Sequence, residues 1–358
     1  MPANKQKFFV SFFQKRNTFF ATLNSTGFAM NPINLRRGLW LAALLAISAT
    51  ARAADAPSLA EQTVDALNKV WGKHPGVRAN HTKGLVVEGT FTASPGAKAL
   101  SKAGMFNGTT IKITGRFSDS TGLPDIADGD AKANPHGLAL RFHQADGADV
   151  DIVENSLPFF PVATGEGFRD FLLAASESGP GAAKPTKLDA FMASHPAAPR
   201  AFGALGTPIS LARERYNGID AFILVNAAGV RQPVRFRAVP ADGVAHLSPA
   251  DAAKQSPNFL FDQIRTRLAS SPVKFHLMAQ LANPGDQTKD PSQPWPDTRK
   301  VVDLGTVTIT GVDADSPAAE KALLFLPGNL TDGIEPSDDP LIDARNQAYA
   351  VSYGRRIQ

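Results

Sequence analysis

Between residues 85 and 155 hydrophobic and polar side chains alternate with period two in four segments, LVVEGTFTA, TTIKITGRFS, GLALRFH and DVDIVEN. Gly, Asp, Asn and Pro bound them, so they read as short strands joined by turns. A second strand set follows in IDAFILVN, VRQPVRFRAV, PVKFHLMAQL and VDLGTVTITGV, interrupted by a helical stretch, PNFLFDQIRTRLASS. Upstream, Ser58-Leu-Ala-Glu61 is a capping box with Val64, Leu67 and Trp71 behind it at helical spacing. Residues 166–177 and 187–194 also read as helices. Residues 282–299 are rich in Pro, Asp and Lys and read as a loop. Residues 318–340 show no regular period, and a last helix is expected to begin near Asp338 or Asp339. Consecutive strands with short connections predict an α+β fold, an antiparallel sheet or barrel with added helices, and not a parallel Rossmann sheet. No internal repeat or linker divides the stretch, so 54–358 is expected to be a single domain.

Charge changes the picture mainly at the N-terminus. The 358 residues carry a formal net charge of +4. Residues 1–53 hold seven of the 37 Lys/Arg and none of the 33 Asp/Glu, which leaves residues 54–358 with 30 basic and 33 acidic side chains, a net −3. No basic patch interleaved with aromatics remains, and no nucleic-acid partner is expected. Within the leader, Met30 precedes Arg36 and Arg37, an apolar run from Leu39 to Ser48, and Ala51-Arg52-Ala53. That order is a secretory signal peptide, residues 30–53, with an apolar run too short to span a bilayer. Translation is expected to start at Met30, with 1–29 an upstream extension. The mature chain then begins near Ala54 in the periplasm, with no integral membrane span. The sequence has no cysteine, which excludes disulfides, thiolate metal sites and a cysteine nucleophile.

Three places carry candidate chemistry. Arg78 stands three residues before His81 in GVRANHTKG, although a lone histidine near a strand start is as often structural. Asn155 closes an alternating strand just before Pro158, where an ordinary turn asparagine serves equally well. The chain ends DARNQAYAVSYGRRIQ, with two of its three tyrosines. Arg345 and Tyr349 are at i and i+4, and Arg356 follows seven residues after Tyr349, so all three share one face of a continuous helix. A surface Tyr–Arg pair is the plain alternative. Yet guanidinium charge favours a neighbouring phenolate, and a phenolate is a competent axial ligand for ferric haem iron.

With these residues in view the sequence resembles the haem catalase family over nearly all of residues 54–358. VRANHTKG looks like the distal Arg-x-x-His-x-Lys-Gly motif, GRFS the Arg-Phe-Ser strand, and NPHGLALRFH the Asp-Pro-Arg-Gly-Phe-Ala-x-Lys-Phe stretch in outline. VENSLPFF stands in the place of Asn-Asn-Thr-Pro-x-Phe-Phe. FLPGNLTDGIEPSDDPLIDARNQAYAVSYGRR is similar to the approach to the proximal tyrosine helix. Several motifs in one order make a strong signal where any one alone is weak. The resemblance implies a catalase-like antiparallel β-barrel and a haem b cofactor. His81 is implied as the distal histidine that moves the peroxide proton, Asn155 as the distal asparagine, and Ser118 as support for the histidine ring. Phe168 is implied to pack on the haem. Tyr349 is implied as the axial iron ligand paired with Arg345, and Arg78, Arg116 and Arg356 as the arginines that bind the propionates.

Departures from the family pattern refine the expectation. The chain stops nine residues after Tyr349, without the long C-terminal helical region, and lacks a long N-terminal arm. Asn80 precedes His81 where valine is usual, Ser120 stands for a narrowing valine, Asn134 for the channel aspartate, and Leu157 for a threonine. A shorter, more polar and less charged channel favours other reductants over a second peroxide. The chain most resembles the truncated, exported catalase-related peroxidases. The expected function is haem-dependent reduction of hydrogen peroxide or an organic hydroperoxide by a small organic reductant, with weak catalase activity, in a monomer or small homo-oligomer. The alternatives are a small true catalase, a lipid-hydroperoxide-transforming enzyme of the allene oxide synthase type, and a non-enzymatic haem carrier. The last has no need of an acid–base group above the iron.

Overall fold

The period-two segments form consecutive antiparallel strands in the computed structural model, which describes residues 56–358. The leader segments expected at 1–29 and 30–53 lie outside the described residues. The first four strands are β1 (Gly84–Ala93), β2 (Ile111–Asp119), β3 (His136–His143) and β4 (Asp149–Asn155). They continue through β5 (Tyr216–Asn217), β6 (Phe222–Val225), β7 (Arg231–Pro240), β8 (Val273–Leu281), β9 (Val301–Val312) and β10 (Ile334–Pro336). Neighbours in the sheet run β10-β6-β7-β5-β4-β3-β2-β1-β9-β8, and β8 also pairs with β7. The β7–β8 pairing closes an eight-stranded antiparallel barrel and leaves β6 and β10 as a flap on the side of β7. Closure removes the exposed edges an open sheet would present.

Alternation puts Leu85, Val87 and Phe91 of β1, Phe117 of β2, Leu138 and Leu140 of β3, and Phe275 and Leu277 of β8 inside, all fully buried. Each such side chain stabilises the fold by about 1.5–3 kcal/mol relative to exposure. Phe117, Tyr216 and Phe275 meet at ring separations of 5.8–6.2 Å. Tyr216 donates its hydroxyl to the Leu211 carbonyl at 2.8 Å, which satisfies the one polar atom it brings inside.

Seven helices of seven or more residues surround the barrel among the described residues. They are α1 (Leu59–Trp71), α2 (Gly165–Ser176), α3 (Lys187–Ser194), α4 (Ala197–Gly203), α5 (Phe259–Ser270), α6 (Ser316–Ala322) and α7 (Pro340–Arg356). The Ser58–Glu61 capping box starts α1 as its sequence predicts. Asp339 caps α7, accepting from the Leu341 amide at 2.9 Å, with Pro340 at the first helical position. Helices α1, α2 and α7 pack together, Val64 against Ala348 and Leu67 against Leu172. The segment 318–340 carries more order than its period suggests, since α6 and β10 lie within or overlap it. Helix α6 is SPAAEKA, with no apolar stripe to read, and β10 is a three-residue strand paired only with β6. Among the described residues no helix is long and apolar enough to cross a membrane.

Candidate active site

Strand register assembles one wall of the site. Ser118 of β2 pairs with Gly137 of β3, which pairs with Asn155 of β4. Paired residues share a face, so the three form a row, with Asn155 roughly 10 Å from Ser118 at two strand spacings. His81 lies in the loop just before β1 and leans over this row. Its Nδ1 is 2.9 Å from Ser118 Oγ, and its carbonyl accepts from Arg116 Nη2 at 2.8 Å. Gly137 is required beneath it, because a Cβ there would lie 2.7 Å from Ser118 Oγ and 3.1 Å from His81 Nδ1. His81 is the one non-glycine residue with positive φ among those described, at 54°. That conformation is uncommon for a residue with a side chain, and strain of this kind concentrates at functional positions. Burial first, then the charges of Arg116, Arg345 and Arg78, pull the imidazole down to about 3. The ring is therefore neutral at ordinary pH. With Nδ1 held by Ser118, Nε2 is the nitrogen left to take up a proton. Asn155 uses Oδ1 to accept from the Leu157 amide at 2.9 Å, leaving its Nδ2 donor without a partner among the described residues.

Helix α7 packs beside the His81 loop, where the Ala79 amide donates to Ser352 Oγ at 3.2 Å, and the Arg345 charge reaches the His81 imidazole. Arg345 Nε donates to the Tyr349 hydroxyl at 3.1 Å, and the guanidinium sits 5.5 Å from the tyrosine ring centroid. Arg345 is itself tied by Nη1 to Asp220, which is 1% exposed. Burial works against the Arg345 charge, but Asp220 and Tyr349 outweigh it and raise the guanidinium above its usual value. Burial raises Asp220 and Arg345 opposes it. Asp339, close enough to feel Asp220, is pushed up to about 7, first by burial and then by that neighbouring carboxylate.

Arg78, Arg116 and Arg356 converge at α6. Glu320 accepts from Arg78 Nη1 at 2.5 Å and from Arg116 Nε at 2.7 and 2.8 Å. The Leu323 carbonyl accepts from Arg78 Nη2 at 2.9 Å and Arg356 Nη2 at 2.8 Å. Gly84 makes room for this cluster, since a Cβ there would lie 2.2 Å from Arg116 Nη2. The structure thus brings together His81, Ser118, Asn155 and Arg116, and separately pairs Arg345 with Tyr349. Phe168 stands on α2 among Phe160 and Phe171, at ring separations of 5.2 and 6.2 Å. Asp220 and Glu320 are absent from the set read off the sequence. Glu320 falls there in the stretch without regular period, and Asp220 near the start of the strand segment IDAFILVN.

The catalase family model matches residues 61–357. The chain belongs to the catalase family. It is 38% identical over 299 residues to a catalase-related peroxidase of Mycolicibacterium paratuberculosis, covering 82% of this chain and 93% of that protein. It is 34% identical over 302 residues to a catalase-related peroxidase of Synechococcus elongatus, covering 83% and 88%. A catalase of Pseudomonas syringae matches at 30% over 301 residues, 78% of this chain but 57% of that one. The fold is that of a solved bacterial catalase, at TM-score 0.70 and 22% identity, and of catalase A from Saccharomyces cerevisiae, at 0.69 and 18%. The chain spans 58% and 62% of the lengths of those two structures. The family implies a haem cofactor, and the residues in place fit one. Three guanidiniums and one carboxylate leave a net +2 to meet two propionates, and the α7 phenol has a cation hydrogen-bonded to its oxygen.

Proposed function

We propose that this protein is a haem b peroxidase that reduces hydrogen peroxide or an organic hydroperoxide with a small organic reductant, and releases little oxygen from peroxide alone. The observation that carries the reading is a neutral His81 held by Ser118, with the Arg345 that pairs with Tyr349 close enough for its charge to act on the imidazole. The extent of similarity supports the peroxidase assignment: the two catalase-related peroxidases are covered over 93% and 88% of their length.

Tyr349 would hold the iron, and Arg78, Arg116 and Arg356 the propionates. Bound there, the haem supplies a redox-active ferric iron through which electrons pass from reductant to peroxide. His81 Nε2 takes the proton from one peroxide oxygen and returns it to the other as the O–O bond breaks, so that water or an alcohol leaves. Asn155 Nδ2 donates to the bound peroxide and fixes it for that transfer. Arg345 keeps the Tyr349 oxygen supplied with positive charge, and Asp220 holds Arg345 in place. Export through residues 30–53 would put the reaction in the periplasm, in a monomer or small homo-oligomer. Tyr349→Phe tests the assignment: haem uptake and the ferric visible spectrum should both be lost or changed, and a variant matching wild type in both refutes it.

A further inference from the structure

We infer that Glu320 is a positioning residue for the haem carboxylates, fixing Arg78 and Arg116 in place and setting the charge of the arginine cluster to match two propionates. This rests on the haem reading above. Glu320 ties guanidiniums from two distant parts of the chain: Arg78, just before β1, and Arg116 in the middle of β2. Its side chain is 17% exposed, against 14% for Arg78 and 5% for Arg116, so the three-way contact is largely withdrawn from water. The end of the same short helix takes the rest of the cluster. The Leu323 carbonyl accepts from both Arg78 and Arg356, and the Lys321 carbonyl accepts from Arg356 Nε at 3.1 Å.

Donor accounting separates a positioning role from competition with the propionates. A guanidinium has five N–H donors. Arg78 spends Nη1 and Nη2 hydrogens on Glu320 and Leu323, Arg116 spends Nε and one Nη2 on Glu320 and His81, and Arg356 spends Nε and one Nη2 on Lys321 and Leu323. Each therefore keeps three, enough for two carboxylates without Glu320 leaving. Charge leads to the same place. Without Glu320 the three arginines carry +3 in a poorly solvated corner, and Arg116 already works against the charges of Arg78 and Arg356. With it they carry +2, which two propionates cancel.

The test compares release of ferric haem b and of its dimethyl ester to excess apomyoglobin, from the loaded wild-type protein and from Glu320→Gln. A positioning role through the propionates predicts that Glu320→Gln releases free-acid haem about tenfold faster, on the scale of one charge-assisted hydrogen bond, and changes release of the ester less than about twofold. Glu320→Asp keeps the charge, so it should fall between the two, again for the free acid alone; it carries the test if the glutamine variant does not fold. Equal acceleration for both haems would mean that Glu320 merely supports the fold, and slower release of the free acid would mean that it competes with the propionates. Either result overturns the inference. A wild-type protein that takes up no haem overturns the haem reading itself, and the inference with it.

Discussion

Replacing Arg345 with leucine isolates the most deeply buried charge in the site. Arg345 is 8% exposed and Asp220 1%, and one oxygen of Asp220 has no hydrogen-bond partner among the described residues even with Arg345 present. Arg345→Leu strands that carboxylate in a place where burial already raises its affinity for a proton. Breaking a buried pair by removing one partner costs about 3–5 kcal/mol. For domains of 150–250 residues a kcal/mol lowers Tm by roughly 2–4 °C, so a fall of about 6–20 °C, toward the lower end for this longer chain, is expected. Asp220→Leu alone leaves Arg345 its contact with Tyr349 and should cost less. The double variant removes both charges together, and its destabilisation should fall short of the sum of the two singles by about 2 kcal/mol or more. The assay is urea unfolding of all four proteins followed by circular dichroism. Simple additivity within about 0.5 kcal/mol would refute the claim that Asp220 exists to hold Arg345.

Two further predictions concern the distal side and the leader. His81→Ala should depress all peroxide-dependent turnover by about 10²-fold or more, and the wild-type rate measured by stopped flow should show no step near pH 6.5, falling only toward pH 3 as the imidazole charges; a titration near 6.5 would mean that His81 is not held neutral. Protein recovered from the periplasm of its host should begin at or near Ala54, and intact residues 1–53 on a cytosolic pool would contradict export.

Which parts of the fold were readable depended on how far their causes extend along the chain. Alternation in β1 to β4 and β7 to β9 exposed the barrel because one face of every strand is buried. The two-residue β5 and three-residue β10 leave no period at all. Helix α7 was legible from its Asp-Pro start, and the i, i+4 spacing of Arg345 and Tyr349 gave their contact directly. Glu320 and Asp220 were not legible because their partners lie 242 and 125 residues away in sequence. Only the closed barrel brings them together, and nothing local distinguishes either carboxylate from a surface one. The strained backbone of His81 was equally hidden, since tertiary contacts with Ser118 and Arg116 impose it.

The central claim is that the haem-loaded protein spends peroxide on an organic donor. One preparation, followed in parallel with an oxygen electrode and by oxidation of a phenolic dye, tests it most directly. Dye oxidation exceeding oxygen release at equal peroxide is the expected result, with both lost in His81→Ala. Vigorous oxygen evolution with negligible dye oxidation would contradict it and identify the protein as a small true catalase.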